Sequence, residues 1–208
     1  MSTLEAVARE CGGRALELDV TDAGSVRAFC SRCEQVSVLV NNAGMAAGID
    51  PLAELTDEAA TQMWETNVLG LLRMTRELLP KLERDGGHII NIGSIAGFET
   101  YPGGGGYTAS KHAVRAITRT LRLELLGKPV RVTEVAPGLV ETEFSLVRFG
   151  GDESKAKKPY EGLTPLSSDD IADCVAWVAT RPPHVNVDEI VIRPLAQATA
   201  TTIARDKP

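Results

Sequence analysis

Tyr107 and Lys111 stand four positions apart, and Ser94 lies thirteen residues before the tyrosine. Together the three make a proton-transfer device suited to alcohol and carbonyl chemistry. If the stretch beginning at Tyr107 is helical, positions four apart share a face, and the Lys111 ammonium sits beneath the Tyr107 phenol. A cation there favours the phenolate. An unperturbed tyrosine titrates near about 10, and a general acid/base works best when its pKa is close to the operating pH. Ser94 would then hold the reacting oxygen. By itself Tyr-x-x-x-Lys is a weak signal, equally readable as unrelated polar residues on a surface helix. Ser94 strengthens it by ending an apolar run, 88–94, that reads as a buried parallel strand. Ligands in open α/β sheets bind beyond the strand C-termini.

The elements that must position these residues alternate between strand-like and helix-like segments, the pattern of βαβ units and a parallel sheet. The expected order is the tail of a helix over 4–11, a strand at 14–19, a helix at 25–35 and a strand at 37–40. A long helix over 58–84 follows, opened by a cap at Thr56 or Asp57 and ended by Gly86 and Gly87. After the Ser94 strand come a helix over 107–126, a strand at 130–135, a helix over 168–180 and a last strand at 189–193. Residues 144–165, rich in Gly, Lys and Pro, read as a mobile lid. One domain over 1–208 is the expectation.

The chain resembles the short-chain dehydrogenase/reductase family from about residue 14 to about residue 195. Besides Ser94, Tyr107 and Lys111, the sequence carries Asp19-Val20 after a strand-like segment and Asn41-Asn42-Ala43-Gly44 after another. Asn67 lies within the long helix, and Pro137-Gly138-Leu139-Val140-Glu141-Thr142 follows a third strand, all in the family's order. The resemblance implies a Rossmann-type doubly wound parallel sheet and a catalytic tetrad of Asn67, Ser94, Tyr107 and Lys111. It implies a nicotinamide cofactor, with Asp19 and Val20 near the adenine and Asn41, Ala43 and Gly44 along the cofactor path. Tyr107 and Lys111 would also contact the cofactor, Lys111 through the ribose. Pro137, Gly138, Val140 and Thr142 would place the nicotinamide end. Asn67 would kink its helix and hold a water leading to Lys111. The run from Glu141 to Asp152, with Ile192-Arg-Pro-Leu-Ala-Gln, is similar to the subgroup acting on 3-hydroxy acids and serine-type amino acids, typically with NADP. Arg148 is then placed to meet a substrate carboxylate, with a solvated lid arginine as the equal alternative. An acyl-chain ketoreductase is the runner-up within the family. The helices 58–84 and 107–126 resemble those that pair between family subunits, which implies a homotetramer or dimer.

A dinucleotide fold of this kind begins with a strand, a Gly-rich turn and a helix whose N-terminus holds the pyrophosphate. No such loop precedes Leu4, and Gly12, Gly13 and Gly24 read as turn or cap glycines. Mapped onto the family, the chain starts inside the helix before the third strand, so the first two strands and the phosphate-binding loop are absent from the sequence. Two strand places would stand empty between the strand at 14–19 and that at 37–40. Either the start is internal to a longer protein, or the sheet has rearranged in a true fragment, which as a non-catalytic chain would bind no cofactor. The residue that usually chooses NAD or NADP falls in the missing part.

The 208 residues are 43% hydrophobic and 24% charged, which suits a compact core. A net charge of -6 with no basic stripe argues against a nucleic-acid partner. No apolar run reaches the roughly 18 residues of a membrane span, and no signal-peptide pattern opens the chain, so a cytoplasmic protein is expected. Cys11, Cys30, Cys33 and Cys174 are expected as reduced thiols. Cys30-x-x-Cys33 lacks a second pair, and His88, His112 and His184 stand apart, so no metal site is expected.

Overall fold

The computed structural model describes residues 2–206. In chain order its elements are α1 (Ser2–Cys11), α2 (Ala23–Ser31), β1 (Val38–Asn41), α3 (Asp57–Trp64), a π-helical turn (Glu65–Gly70), α4 (Leu71–Asp85) and β2 (Gly87–Ile92). They continue with α5 (Gly105–Glu124), β3 (Val130–Pro137), α6 (Phe144–Arg148), α7 (Glu153–Lys157), α8 (Ser168–Ala179) and β4 (Glu189–Ile192). The strands form one parallel sheet in the order β1-β2-β3-β4.

Successive side chains of a strand point to opposite faces, and here both faces of the sheet are covered. Ile89 faces α2, α4 and α5, where it packs with Val26, Leu78, Leu82, Leu121 and Val132. Its neighbour Ile90 faces α8 with Val135 and Val178. Full burial of each such side chain stabilises the fold by about 1.5–3 kcal/mol. This two-sided cover makes the sheet a Rossmann-like α/β structure, and it is the reason β2 reads as an unbroken apolar run. β1 is the exception: Leu39 is buried, but Val38 and Val40, on the opposite face, are each 40% exposed.

The segment 14–19 corrects the sequence reading. Its backbone forms no strand ladder among the described residues. Extended chain becomes a strand only where a neighbour takes up its N–H and C=O groups, and β1, the edge of the sheet, does not pair with it. Leu18 and Val20 still pack against the apolar cluster under α2 and α4.

The helix expected over 58–84 is one continuous helical run from Asp57 to Asp85, wound as a π-turn where Asn67 lies. Such turns widen the helix locally and occur often at functional sites. Thr56, the first of the two candidate caps, accepts the Ala59 N–H at 3.2 Å. Gly86, at φ 76°, ends the run. α5 starts at Gly105, two residues before the expected start, and β3 runs on to Pro137. The segment expected as a lid is not bare loop: it carries α6, α7 and a 3-10 turn at Lys158–Tyr160. Among the described residues no helix is long and apolar enough to cross a membrane.

Candidate active site

β2 and β3 lie side by side, with Ile92 opposite Val135, so their C-terminal ends open onto the same space. A cleft of about 1290 Å³ lies there, lined by Ser94, Tyr107 and Lys111, by Pro137 to Val140 and Thr142, and by Arg148. Each polar side chain reaches it by a different route. Ser94 follows β2 in an extended conformation, 8% exposed, accepts the Ala96 N–H at 3.1 Å and donates to the Pro137 carbonyl at 3.4 Å. Tyr107 and Lys111 lie on successive turns of α5. That helix starts close against its neighbours because Gly103 (φ 75°) and Gly106 leave room; a Cβ on the first would strike the Ile49 carbonyl and on the second the Met63 methyl.

Lys111 is buried, and its Nζ donates to the Ile92 carbonyl at 2.9 Å while lying 5.9 Å from the centroid of the Tyr107 ring. The helical spacing therefore brings the pair together as the sequence suggests. The electrostatics differ from the expectation. Burial pushes the Tyr107 phenol up to about 12, against the lowering influence of the Ser94 hydroxyl and the Arg148 guanidinium. Burial also brings Lys111 down to about 8, held up in part by the Glu134 carboxylate. The cation that opposes the rise at Tyr107 is thus Arg148, 5.7 Å from the ring centroid.

Arg148 sits on α6 and is half-buried. It donates through Nε to the Gly48 carbonyl at 3.0 Å and through a terminal nitrogen to the Tyr101 hydroxyl at 3.2 Å. It faces the cleft and is not a freely solvated lid arginine. Tyr160 ties the same segment down by donating to the Val140 carbonyl at 2.9 Å and pairing with the Ser145 hydroxyl at 2.7 Å.

Asn67 is buried, but its amide is fully engaged: Oδ1 accepts the Met45 N–H at 2.7 Å, and Nδ2 donates to the Met45 carbonyl and the Ser110 hydroxyl, each at 2.9 Å. It therefore acts directly on the chain after β1, with no bond to Lys111. Gly44 lies between the two, where an added Cβ would be 3.4 Å from Asn67 Oδ1 and 3.5 Å from Lys111 Nζ.

Four sequence candidates fall outside the cleft lining. Asn41 is turned into the sheet, donating to Asn91 Oδ1 at 2.8 Å and Thr75 Oγ1 at 3.2 Å. Ala43 is exposed. Asp19 folds onto its own turn, where its carboxylate accepts the Thr21 N–H at 2.8 Å and hydroxyl at 2.7 Å, bonds that hold it below the usual carboxylate range. Val20 packs against Gly70 in the π-turn.

Sequence reasoning missed three residues here. Tyr101 has no local signal. Gln197, 4% exposed, lines the cleft and accepts the Leu139 N–H at 2.9 Å across 58 positions of chain. Glu134 did leave a signal, a carboxylate inside an otherwise apolar strand. It is 1% exposed, and one carboxylate oxygen has no partner among the described residues. Burial and the neighbouring Glu189 push it up to about 7, against Arg115, Lys111 and Arg119.

A parallel α/β sheet with a serine, a tyrosine and a lysine gathered in one cleft past its strand ends defines a dehydrogenase-type protein of the dinucleotide-binding class. The chain belongs to the short chain dehydrogenase family, whose model matches residues 1–148. It is 56% identical over 199 residues to an uncharacterized oxidoreductase of Mycobacterium tuberculosis, covering 95% of this chain and 79% of that protein. It is 44% identical over 205 residues to an NADP-dependent 3-hydroxy acid dehydrogenase of Salmonella typhi, covering 95% of this chain and 83% of that protein. Among solved structures, a closed form of serine dehydrogenase complexed with NADP+ superimposes with a TM-score of 0.93 at 39% identity, over 100% of this chain and 87% of that one.

Proposed function

We propose that this protein is an NADP-dependent oxidoreductase that interconverts the hydroxyl and oxo forms of a small hydroxy acid, with Tyr107 as general acid/base. The observation that carries the reading is the meeting of the Tyr107 phenol, the Ser94 hydroxyl and the Lys111 ammonium in one cleft. The residues present suit a dinucleotide. Lys111 uses one N–H on Ile92 and keeps two for a ribose. Gly44 brings bare backbone beside that ammonium, and the cleft is larger than a small substrate alone requires. When bound, NADP supplies the hydride acceptor and NADPH the donor.

The protein's own residues do the rest. Ser94 donates to the substrate oxygen, and Tyr107 takes the hydroxyl proton in oxidation or returns it in reduction. Lys111 holds the ribose, and its positive charge beneath the phenol stabilises the phenolate as the proton leaves. Asn67 keeps the chain around Met45 and Gly44 in place. Pro137, Gly138, Val140 and Thr142 seat the nicotinamide end, while Asp19 and Val20 are assigned to the adenine end by resemblance alone. Arg148, fixed between Gly48 and Tyr101, offers its remaining N–H groups to a substrate carboxylate. That preference for a carboxylate, together with the relatives acting on 3-hydroxy acids and serine, favours a hydroxy acid over an acyl chain. Residues 144–165 would act as the lid over this substrate.

The test is NADP+ reduction followed at 340 nm with serine and short 3-hydroxy acids, beside a fluorescence titration with NADPH and NADH. Turnover that falls when Arg148 is replaced by Met, mainly through KM, supports the reading. NADPH binding without turnover of any hydroxy acid would discard the substrate class. No binding of either cofactor would leave a non-catalytic chain.

A further inference from the structure

Residues beyond β4 double back to form a wall of the cleft. Arg193 pairs with Glu99 at 2.9 Å, and the Ala200 N–H donates to the other oxygen of the same carboxylate at 2.6 Å. Gln197 bridges to Ile203 across a short antiparallel contact, and the Ala204 N–H closes the loop onto the Ala196 carbonyl at 2.8 Å. Glu99 belongs to the segment that follows Ser94, so this loop is clamped to the same structure that presents the serine.

At its centre Gln197 touches the 137–139 turn. Its Oε1 accepts the Leu139 N–H at 2.9 Å, and a Cβ on Gly138 would collide with that oxygen. A backbone N–H can only donate, so this bond decides which end of the carboxamide faces the turn. The NH2 end is thereby turned away from Leu139, and among the described residues it makes no hydrogen bond. Gln197 lines the cleft, so that pair of donors is available to a ligand.

We propose that Gln197 is a positioning residue with two faces: its oxygen fixes the 137–139 turn, and its NH2 donates to an acceptor oxygen of the cofactor's nicotinamide end. The second face rests on the function proposed above; the first does not. Gln197→Glu keeps the acceptor for Leu139 and replaces the donors by negative charge, whereas Gln197→Met removes both.

The experiment measures hydrogen exchange at the Leu139 amide in the free protein, and NADPH dissociation by fluorescence at pH 8, for wild type and both variants. Exchange at Leu139 should accelerate about fivefold or more in the Met variant and stay slow in the Glu variant, the loss expected for one hydrogen bond. The NADPH dissociation constant should rise about tenfold in the Glu variant, and about fivefold or more in the Met variant. Wild-type exchange at Leu139 in Gln197→Met would overturn the first face. Wild-type affinity in Gln197→Glu would overturn the second, and a raised KM for the hydroxy acid beside it would hand those donors to the substrate. If wild type itself binds no NADPH, the proposed function and the second face fall together, while the exchange result still decides the first.

Discussion

Residues 14–20 and strand β2 both carry the mark of a strand, yet only one of them is a strand. Leu16, Leu18 and Val20 alternate with Glu17 and Asp19, as a half-buried strand would, whereas β2 is apolar on both faces. β2 has β1 on one side and β3 on the other, with Ile89 and Ile90 fully buried. Residues 14–19 have no pairing neighbour, and Arg14, Glu17 and Asp19 are exposed. Pairing and two-sided cover, more than propensity, make a strand, since an extended backbone must place its hydrogen-bonding groups somewhere. The same contrast separates the ligand sites. Ser94, Tyr107 and Lys111 hang from paired or buried elements and converge; Asp19 and Val20 hang from the unpaired segment and stand outside the cleft lining.

If the sheet centre carries the chemistry, Tyr107→Phe should lower kcat about 10³-fold while leaving NADPH affinity and circular dichroism as in wild type. Turnover at the wild-type rate would move the reaction away from α5. Next in size, Asn67→Ala removes three buried hydrogen bonds around Met45 and Ser110. It should lower the unfolding free energy by about 3–4 kcal/mol, read by urea titration; a loss below about 1 kcal/mol would show that the π-turn holds itself.

Glu134 gives a pH signature that the exposed segment cannot give. Its carboxyl titrates near 7 in the folded protein against 4.5 otherwise. A raised acid contributes full stability below about 4.5 and loses it as pH rises to about 7, because the folded state then binds more protons than the unfolded one. That fall amounts to up to about 3 kcal/mol over the window, and Glu134→Gln should flatten it in urea midpoints taken from pH 4.5 to 7.5. The same variant removes the carboxylate that holds Lys111 up, so the alkaline limb of activity should move below its wild-type position near pH 8. A limb that stays in place would mean that Lys111 does not set it. The smallest effects belong to the N-terminal segment. Amides of residues 14–18 should exchange within seconds while those of Ile89 to Ile92 stay protected, and Asp19→Ala should leave the urea midpoint unchanged. Slow exchange at 14–18 would reveal a pairing partner for that segment and erase the contrast.

Much of the molecule was legible because it is written locally. Helical spacing set Tyr107 over Lys111, the Thr56 hydroxyl capped its helix, and a two-sided apolar run marked β2 and left Ser94 at its end. The chain alone therefore determined the alternating architecture, the family and the group of three polar residues at the cleft. The tertiary structure decided what depends on residues distant in sequence. It paired Leu139 with Gln197, turned Asn41 inward to Asn91, spent the Asn67 amide on Met45, and set Arg148 over Tyr107. It also decided that 14–19 is no strand. Local sequence encodes backbone preference and which face is apolar, but a hydrogen bond needs two partners at one point in space, and where the second partner lies is a property of the whole fold.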